Sequence, residues 1–260
     1  MKKIVKKPAA AKAKMLKIVK NDAWLEPYND AIQGRHDAVL HKIDELTGGK
    51  TSLSDFADGH LYFGLHKTAR QWVFREWAPN ATKIYLVGDF NGWKESEKYR
   101  LCPVGTSGNW ELKLPLKAMK HLDLYKMKVY WNGGCGERIP AWCQRVVQDE
   151  STKIFSAQVW DPEKPYVFSK RTFRPHRDPL LIYECHIGMG QDAEKVGSYN
   201  EFRENVLPRV VKEGYNCLQI MALQEHPYYG SFGYHVSSFF AASSRFGTPD
   251  ELKQLIDEAH

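Results

Sequence analysis

Cys217-Leu218-Gln219-Ile220-Met221-Ala222-Leu223, followed by Gln224-Glu225-His226-Pro227-Tyr228-Tyr229-Gly230-Ser231-Phe232-Gly233-Tyr234, is the stretch on which the fold of this chain turns. Residues 217–223 form an apolar run of the length of a fully buried strand. A loop rich in aromatic residues comes next. Thr248-Pro249-Asp250-Glu251 then opens a helix, with Thr248 as N-cap, Pro249 at the first helical position and Glu251 three residues after the cap. Leu252, Leu255, Ile256 and Ala259 share one face of that helix. Strand, elaborate loop and helix together make one βα unit.

The same alternation extends upstream. Residues 180–187 (L-L-I-Y-E-C-H-I) read as a continuous apolar strand, and residues 199–213 as a helix with Phe202, Val206, Leu207, Val210 and Val211 on its apolar stripe. Gly214 ends that helix, and Pro208 within it predicts a kink. Strand, helix, strand, loop and helix in this order indicate a parallel α/β domain over 180–260. Glu184 and His186 lie two apart on one strand face, a pair capable of proton transfer. They are read here as framework.

Between residues 60 and 162 the periodicity changes to two. Residues 71–77, 83–87, 110–114 and 124–130 read as strands, separated by turn signals at Ala78-Pro79-Asn80, Gly88-Asp89-Phe90-Asn91-Gly92-Trp93 and Asn132-Gly133-Gly134. Short strands at this spacing predict an antiparallel β-sandwich. Residues 131–136 are expected to form a long Gly/Cys turn. Ahead of the sandwich, residues 21–59 read as a helical segment. Trp24, Leu25, Tyr28, Ile32, Val39, Leu40, Ile43 and Leu46 give it a packing stripe, and Gly48-Gly49 stops its helix. Residues 163–179, punctuated by proline, read as a linker.

The formal charge of +6 is local: residues 1–20 carry eight Lys and no acid, which leaves −2 for the remainder. That tail is expected to be disordered, without nucleic-acid or membrane contact. With 43% apolar residues and no apolar run of the ~20 residues that cross a bilayer, the chain reads as soluble and multidomain. No secretory signal is visible, so a cytoplasmic location is expected. Cys102, Cys135, Cys143, Cys185 and Cys217 are an odd set without C-x-x-C spacing, which predicts free thiols and no zinc site.

E-H-x-Y-Y-x-S-F-G-Y (residues 225–234) and S-F-F-A-A-S-S-R-F-G-T-P-x-E-L (residues 238–252) resemble the 1,4-alpha-glucan branching enzymes of eukaryotic type. These belong to the alpha-amylase superfamily, glycoside hydrolase family 13. I-Y-E-C-H-I-G (residues 182–188) is similar to the first barrel strand of that family, and the W-L-x-P-Y of residues 24–28 is similar to its N-terminal segment. G-D-F-N-G-W, with E-W-A-P before it and Y-K-M-K-V after it, resembles a family 48 carbohydrate-binding module. The fold implied is a helical segment, a β-sandwich module and the first two βα units of an incomplete (β/α)8 barrel.

The resemblance also implies site residues. A pyranose has an apolar C–H face that a Trp ring covers and a hydroxyl rim that Lys or Asn bonds. Trp77, Pro79, Trp93, Asn109, Lys126 and Lys128 match glucan-contact positions of the module, with Lys126 and Lys128 on one strand face. Tyr234 matches the tyrosine that stacks on the sugar being cleaved, and Glu225 and His226 position its loop. The implied reaction is retaining: a carboxylate forms a glycosyl-enzyme, and a glucan 6-hydroxyl takes up the segment as an α-1,6 branch. No cofactor or metal is implied, the expected partner is α-1,4-glucan, and a monomer is expected. The family's catalytic carboxylates fall on strands later than those present, so this chain is expected to bind glucan without catalysing transfer. Three readings stay open: part of a branching enzyme, a stand-alone glycogen- or starch-binding protein, or another relative that carries this module, such as a debranching or trehalose-forming enzyme.

Overall fold

The computed structural model describes residues 15–169 and 178–260. The chain divides into two compact units, Met1–Gly59 and His60–His260.

The first unit is helical. It comprises α1 (Lys17–Asn21), a 3-10 turn at Ala23–Tyr28, α2 (Asn29–Thr47) and α3 (Leu53–Phe56). Asp22 accepts from the Trp24 amide at 3.0 Å to start the 3-10 turn, and Gly48 ends α2 in the left-handed conformation at φ 59°. Two expectations are corrected here. Of the tail expected to be disordered, residues 1–14 lie outside the described residues, but Lys17–Asn21 is helical and buries Val19. Burial of that side chain offsets part of the ordering cost of one turn. The stripe expected to pack does not: Trp24, Tyr28, Val39, Leu40 and Leu46 are exposed, and α2 buries no residue. The spacing dictates a helix with an apolar face, and burial of such a face depends on what is packed against it.

The short helix α4 (Gly59–Tyr62) begins at the last residue of the first unit, and the second unit continues as an antiparallel assembly. Its strands are β1 (Gly64–Lys67), β2 (Gln71–Trp77), β3 (Ala81–Gly88), β4 (Cys102–Val104), β5 (Asn109–Pro115), β6 (Leu124–Trp131), β7 (Gly134–Arg138), β8 (Val146–Gln148) and β9 (Phe155–Gln158). One sheet has the order β1-β2-β5-β4; the other has β3-β6-β9-β8, with β7 on β6. Phe74, Ile84, Leu86, Leu112, Tyr125, Met127 and Val129 fill the core. Alternation along β6 is strict: Tyr125, Met127 and Val129 are buried, and the residues between them are not. The four longer strands fall where period two put them. The expected turn over 131–136 is instead the two-residue turn Asn132-Gly133, with Gly133 at φ 90°, and the chain returns as β7 along β6. Gly134 and Gly136 lie against the Trp131 ring, where an added Cβ would come within 3.2 Å and 3.3 Å of it. The glycines that suggested a turn are strand residues that make room for an indole.

A parallel pair follows: β10 (Ile182–His186) and β11 (Cys217–Met221), in register from Ile182↔Cys217 to His186↔Met221. The connection is helical: α5 (Tyr199–Glu201), a π turn at Phe202–Val206 and α6 (Leu207–Lys212). The π turn stands immediately before Pro208, where a proline lacks the N–H that an α-helical turn would use. Past β11, the loop contains a small antiparallel pair, β12 (Gln224–Glu225) and β13 (Ser238–Ala242), and leads to α7 (Pro249–Ala259). The capping box of α7 is the one its sequence spells: Thr248 Oγ1 accepts from the Glu251 amide at 3.3 Å, and Glu251 Oε2 accepts from the Thr248 amide at 2.6 Å. Ile187, Tyr199, Phe202, Phe246 and Leu255 form the core here. Residues 170–177 of the expected linker lie outside the described residues; ahead of them, Tyr166 and Ser169 donate to the Asp257 carboxylate of α7 at 2.8–2.9 Å. All five cysteines are free thiols. Among the described residues, no helix is long and apolar enough to cross a membrane.

Candidate functional site

The expected contact residues fall into three places. The first is the outer face of the β3–β6–β7 sheet. The turn after β3 is braced by its own polar side chains: Asn91 accepts from the Gly88 amide and donates to the Leu86 carbonyl, both at 3.0 Å. Asp89 accepts from the Trp93 indole at 2.9 Å and from the Leu124 amide at 2.7 Å. Trp93, at φ 60° and 39% exposed, is thereby fixed over the sheet, with the Lys126 ammonium 6.0 Å from its ring centre. Lys126 also reaches Glu137 on β7 at 3.4 Å, and Lys128 is directly opposite Glu137 in the β6–β7 register. Trp93, Lys126 and Lys128 therefore share one region, and Trp93 stands outside the sandwich core.

The second place is the end of the β2–β5 ladder. Trp77 and Asn109 are register partners, and Trp77 is 57% exposed. The Trp77 indole donates to the Ser107 carbonyl at 2.9 Å, and the Asn109 amide donates to the Ser107 hydroxyl at 3.1 Å. Gly108, at φ 84°, lets the loop close on Pro79, since a Cβ there would lie 2.6 Å from Pro79 Cα. Trp77, Pro79 and Asn109 are thus one cluster around one loop.

The third place is the carboxyl end of the parallel pair. A groove of about 490 Å³ opens there, lined by Gly188, Met189, Gln191, Lys195, Tyr229 and Phe232, with Glu194 as its one carboxylate. Tyr229 and Phe232 of its lining also belong to an aromatic box around His186, whose ring lies edge-on to Tyr229, Phe232 and Phe246 at 5.6–6.3 Å between centres. Burial, and next the neighbouring His226, hold the His186 imidazole below its usual range. Glu225 is 1% exposed and accepts from the Ser244 amide at 2.8 Å, the Ser244 hydroxyl at 2.9 Å and the His226 amide at 3.2 Å. It ties the two ends of the loop together. Glu184 is exposed and meets Gln219 at 3.4 Å. Tyr234 follows Gly233, which packs so closely on Ala222 that a Cβ would come within 2.3 Å of Ala222 Cα. Its side chain is 79% exposed and is not part of the groove lining.

Residues 62–144 match the family model of carbohydrate-binding module 48 (isoamylase N-terminal domain). The 1,4-alpha-glucan-branching enzyme of Dictyostelium discoideum is 42% identical over 253 residues, which covers 94% of this chain and 36% of the relative. The Saccharomyces cerevisiae enzyme of the same name is 42% identical over 264 residues, covering 93% and 37%. The chain resembles the branching enzymes. It spans a little over a third of the length of these curated relatives. Among solved structures, the Paenibacillus barengoltzii pullulanase superposes with a TM-score of 0.61 at 18% identity, covering 84% of this chain and 39% of that one. A pullulanase from Bacillus acidopullulyticus gives 0.60 at 18%, covering 75% and 28%. At that identity the likeness is one of fold.

Trp77, Pro79, Trp93, Asn109, Lys126 and Lys128 all lie within the segment matched to the module. Several of its organising residues went unread in the sequence. Asp89 and Asn91 act through bonds to the backbone, and Glu137 sits on a strand that its glycines disguised. The box around His186 joins residues from positions 186, 229, 232 and 246, and no sequence spacing links those. Among the described residues, no group of three or more His, Cys, Asp or Glu could hold a metal ion.

Proposed function

We propose that this chain is the glucan-recognising part of a 1,4-alpha-glucan-branching enzyme. The observation that carries the reading is the 42% identity over 94% of the chain to an enzyme of that name, together with exposed aromatic residues inside a matched carbohydrate-binding module. Trp93 with Lys126 and Lys128, and Trp77 with Pro79 and Asn109, form two contact surfaces for α-1,4-glucan. Each offers an indole for the apolar face of a pyranose, with an amide or ammonium beside it for hydroxyls. Residues 60–162 are the module, after a helical segment over 21–59. Residues 180–260, reached through a linker over 163–179, are the first two βα units of a (β/α)8 barrel, whose loops at the carboxyl strand ends build the active site. Tyr234 stands on such a loop and stacks on the sugar at the cleaved bond.

The reaction of the whole enzyme is a retaining double displacement with no cofactor. A carboxylate attacks the anomeric carbon, a second carboxyl group protonates the leaving oxygen, and a glucan 6-hydroxyl replaces water in the second half. That chemistry needs two carboxyl groups roughly 5 Å apart. The groove beside Tyr229 offers a single carboxylate, Glu194. The 260 residues by themselves are therefore expected to bind glucan as a monomer without making branch points. Five free thiols suit a reducing, cytoplasmic setting.

Cosedimentation with glycogen tests the reading. The chain is expected in the pellet, and Trp77→Ala with Trp93→Ala is expected to release it while the circular dichroism of the sheets is kept. Retention of the double variant on glycogen would remove both surfaces from the proposal. The second reading, a free-standing glucan-binding protein, is favoured by that single carboxylate, and the mass of the native protein in its cell separates the two.

A further inference from the structure

The sequence contains two Asn-Gly pairs: Asn91-Gly92, in the turn after β3, and Asn132-Gly133, which joins β6 to β7. Such a pair has a reaction of its own. The glycine amide nitrogen can attack the asparagine Cγ, because glycine has no Cβ to obstruct the approach. A bond forms between that nitrogen and Cγ, the bond from Cγ to the side-chain nitrogen breaks, and ammonia leaves with the proton of the glycine amide. Water then opens the resulting succinimide ring. Opening at Cγ gives aspartate. Opening at the main-chain carbonyl gives isoaspartate, whose chain runs through the side chain and is one carbon longer. One water is consumed, one ammonia is released, and nothing is oxidised or reduced.

The two pairs stand in opposite states. At the first, Asn91 Oδ1 accepts from the Gly88 amide and Nδ2 donates to the Leu86 carbonyl, both at 3.0 Å. The Gly92 amide, the nucleophile of the reaction, donates to the Asp89 carbonyl at 3.4 Å. At the second, both residues are exposed. Among the described residues, neither the Asn132 side chain nor the Gly133 amide makes a hydrogen bond. Steric room does not distinguish them, since a Cβ at either glycine would meet nothing within 4 Å.

The Asn132-Gly133 turn also has no slack. It closes a ladder that runs in register from Trp131↔Gly134 to Met127↔Arg138, and β7 pairs with no strand other than β6. In a hairpin the turn length sets the register, so one extra backbone carbon in a two-residue turn is a mismatch for the whole ladder. That register places Lys128 opposite Glu137 and lets Lys126 reach the Glu137 carboxylate at 3.4 Å. We propose that Asn132 is a site of spontaneous covalent modification, converted by water to aspartate and isoaspartate through a succinimide with Gly133, and that isoaspartate there unpairs β7 from β6. Unpairing releases Lys126 from Glu137. The modification is independent of the glucan reading, since it needs only water and this turn.

The test incubates the native 260-residue chain in mildly alkaline buffer beside a sample unfolded in guanidinium chloride, and maps both by proteolysis and mass spectrometry. Deamidation adds one mass unit to a peptide, and its aspartate and isoaspartate forms separate by chromatography. In the native chain Asn132 is expected to react at least about tenfold faster than Asn91, which must first give up its hydrogen bonds. In the unfolded chain the two rates should converge. An unreacted Asn132, or a native ratio of rates no greater than the unfolded one, would overturn the proposal. Asn132→Asp carries the new charge without the extra carbon and so separates the two consequences. Amide hydrogen exchange along β7 is expected to match the parent in Asn132→Asp and to accelerate in the isoaspartate fraction. An isoaspartate fraction with β7 as protected as in the parent would reject the unpairing.

Discussion

Trp93 is a bulky residue held in the left-handed region, at φ 60°, which costs an L-residue on the order of 1 kcal/mol. Its amide bonds the Gly88 carbonyl at 2.9 Å and its indole bonds Asp89, so the strain is over-determined by its surroundings. Trp93→Gly relieves the backbone and removes the ring. Urea unfolding is expected to show stability unchanged or raised by up to ~1 kcal/mol, with glycogen affinity reduced about tenfold. If stability falls steeply and affinity holds, the ring is packing and nothing more. Glu225 is the opposite case, a buried carboxylate with three donors aimed at it. Glu225→Ala should cost about 3 kcal/mol in urea unfolding, because the Ser244 and His226 amides lose their acceptor. That Lys126 and Lys128 share one face was legible, since alternation along a strand assigns faces; Trp77 and Trp93 were named by the family resemblance alone, and core packing stayed open for both. The φ of Trp93 was not legible, because the dihedrals of a turn leave no periodic signal, and neither was the enclosure of Glu225, which depends on Ser244 at the far end of the loop.

Elements with complete local signals formed where those signals stood. Thr248-Pro249-Asp250-Glu251 starts α7, and Ser198 with Glu201 starts α5 by a reciprocal pair of bonds at 3.0 Å and 3.2 Å. Short elements without such signals escaped: β4, β8 and β9 have three or four residues each, too few for a period to show. The α5 box makes a pH prediction. The Lys195 ammonium, followed by the Ser198 amide, holds the Glu201 carboxyl down to about 2, from an ordinary 4.5. The unfolded chain therefore binds this proton more tightly than the native one does. The stabilisation is complete above pH 4.5 and is lost as pH falls through about 2. Glu201→Gln keeps an acceptor for the Ser198 amide and cannot titrate. Across that acid window its melting temperature should fall less than that of the parent chain. Parallel melting curves would show that the Lys195–Glu201 pair contributes nothing to folding.

At the scale of the whole molecule, binding and chemistry separate. The two sheets of the sandwich share one core, to which Ala241 of β13 also contributes, and the contact residues proposed on the sandwich all lie within the segment matched to the module. The α/β segment is built differently: among the described residues, its parallel sheet has two strands, with Leu180, Leu181 and Ile182 exposed along it. A parallel sheet is ordinarily covered on both faces, and a barrel needs eight such strands before its loops surround a substrate. The parallel pairing of β10 with β11 was legible in the alternation of apolar runs and helices, and the groove lies beyond the ends of those two strands. Tyr234 stands 79% exposed on the loop past β11. The 260-residue chain incubated with amylose is therefore expected to cosediment with the glucan and leave its iodine absorption spectrum and its content of α-1,6 linkages unchanged. Release of new isoamylase-sensitive branches by the chain alone would mean that carboxylates in these residues do the chemistry. Glu194 in the groove would be the first to replace, since a Glu194→Gln variant that still branched would move the search away from the carboxyl ends of the strands altogether.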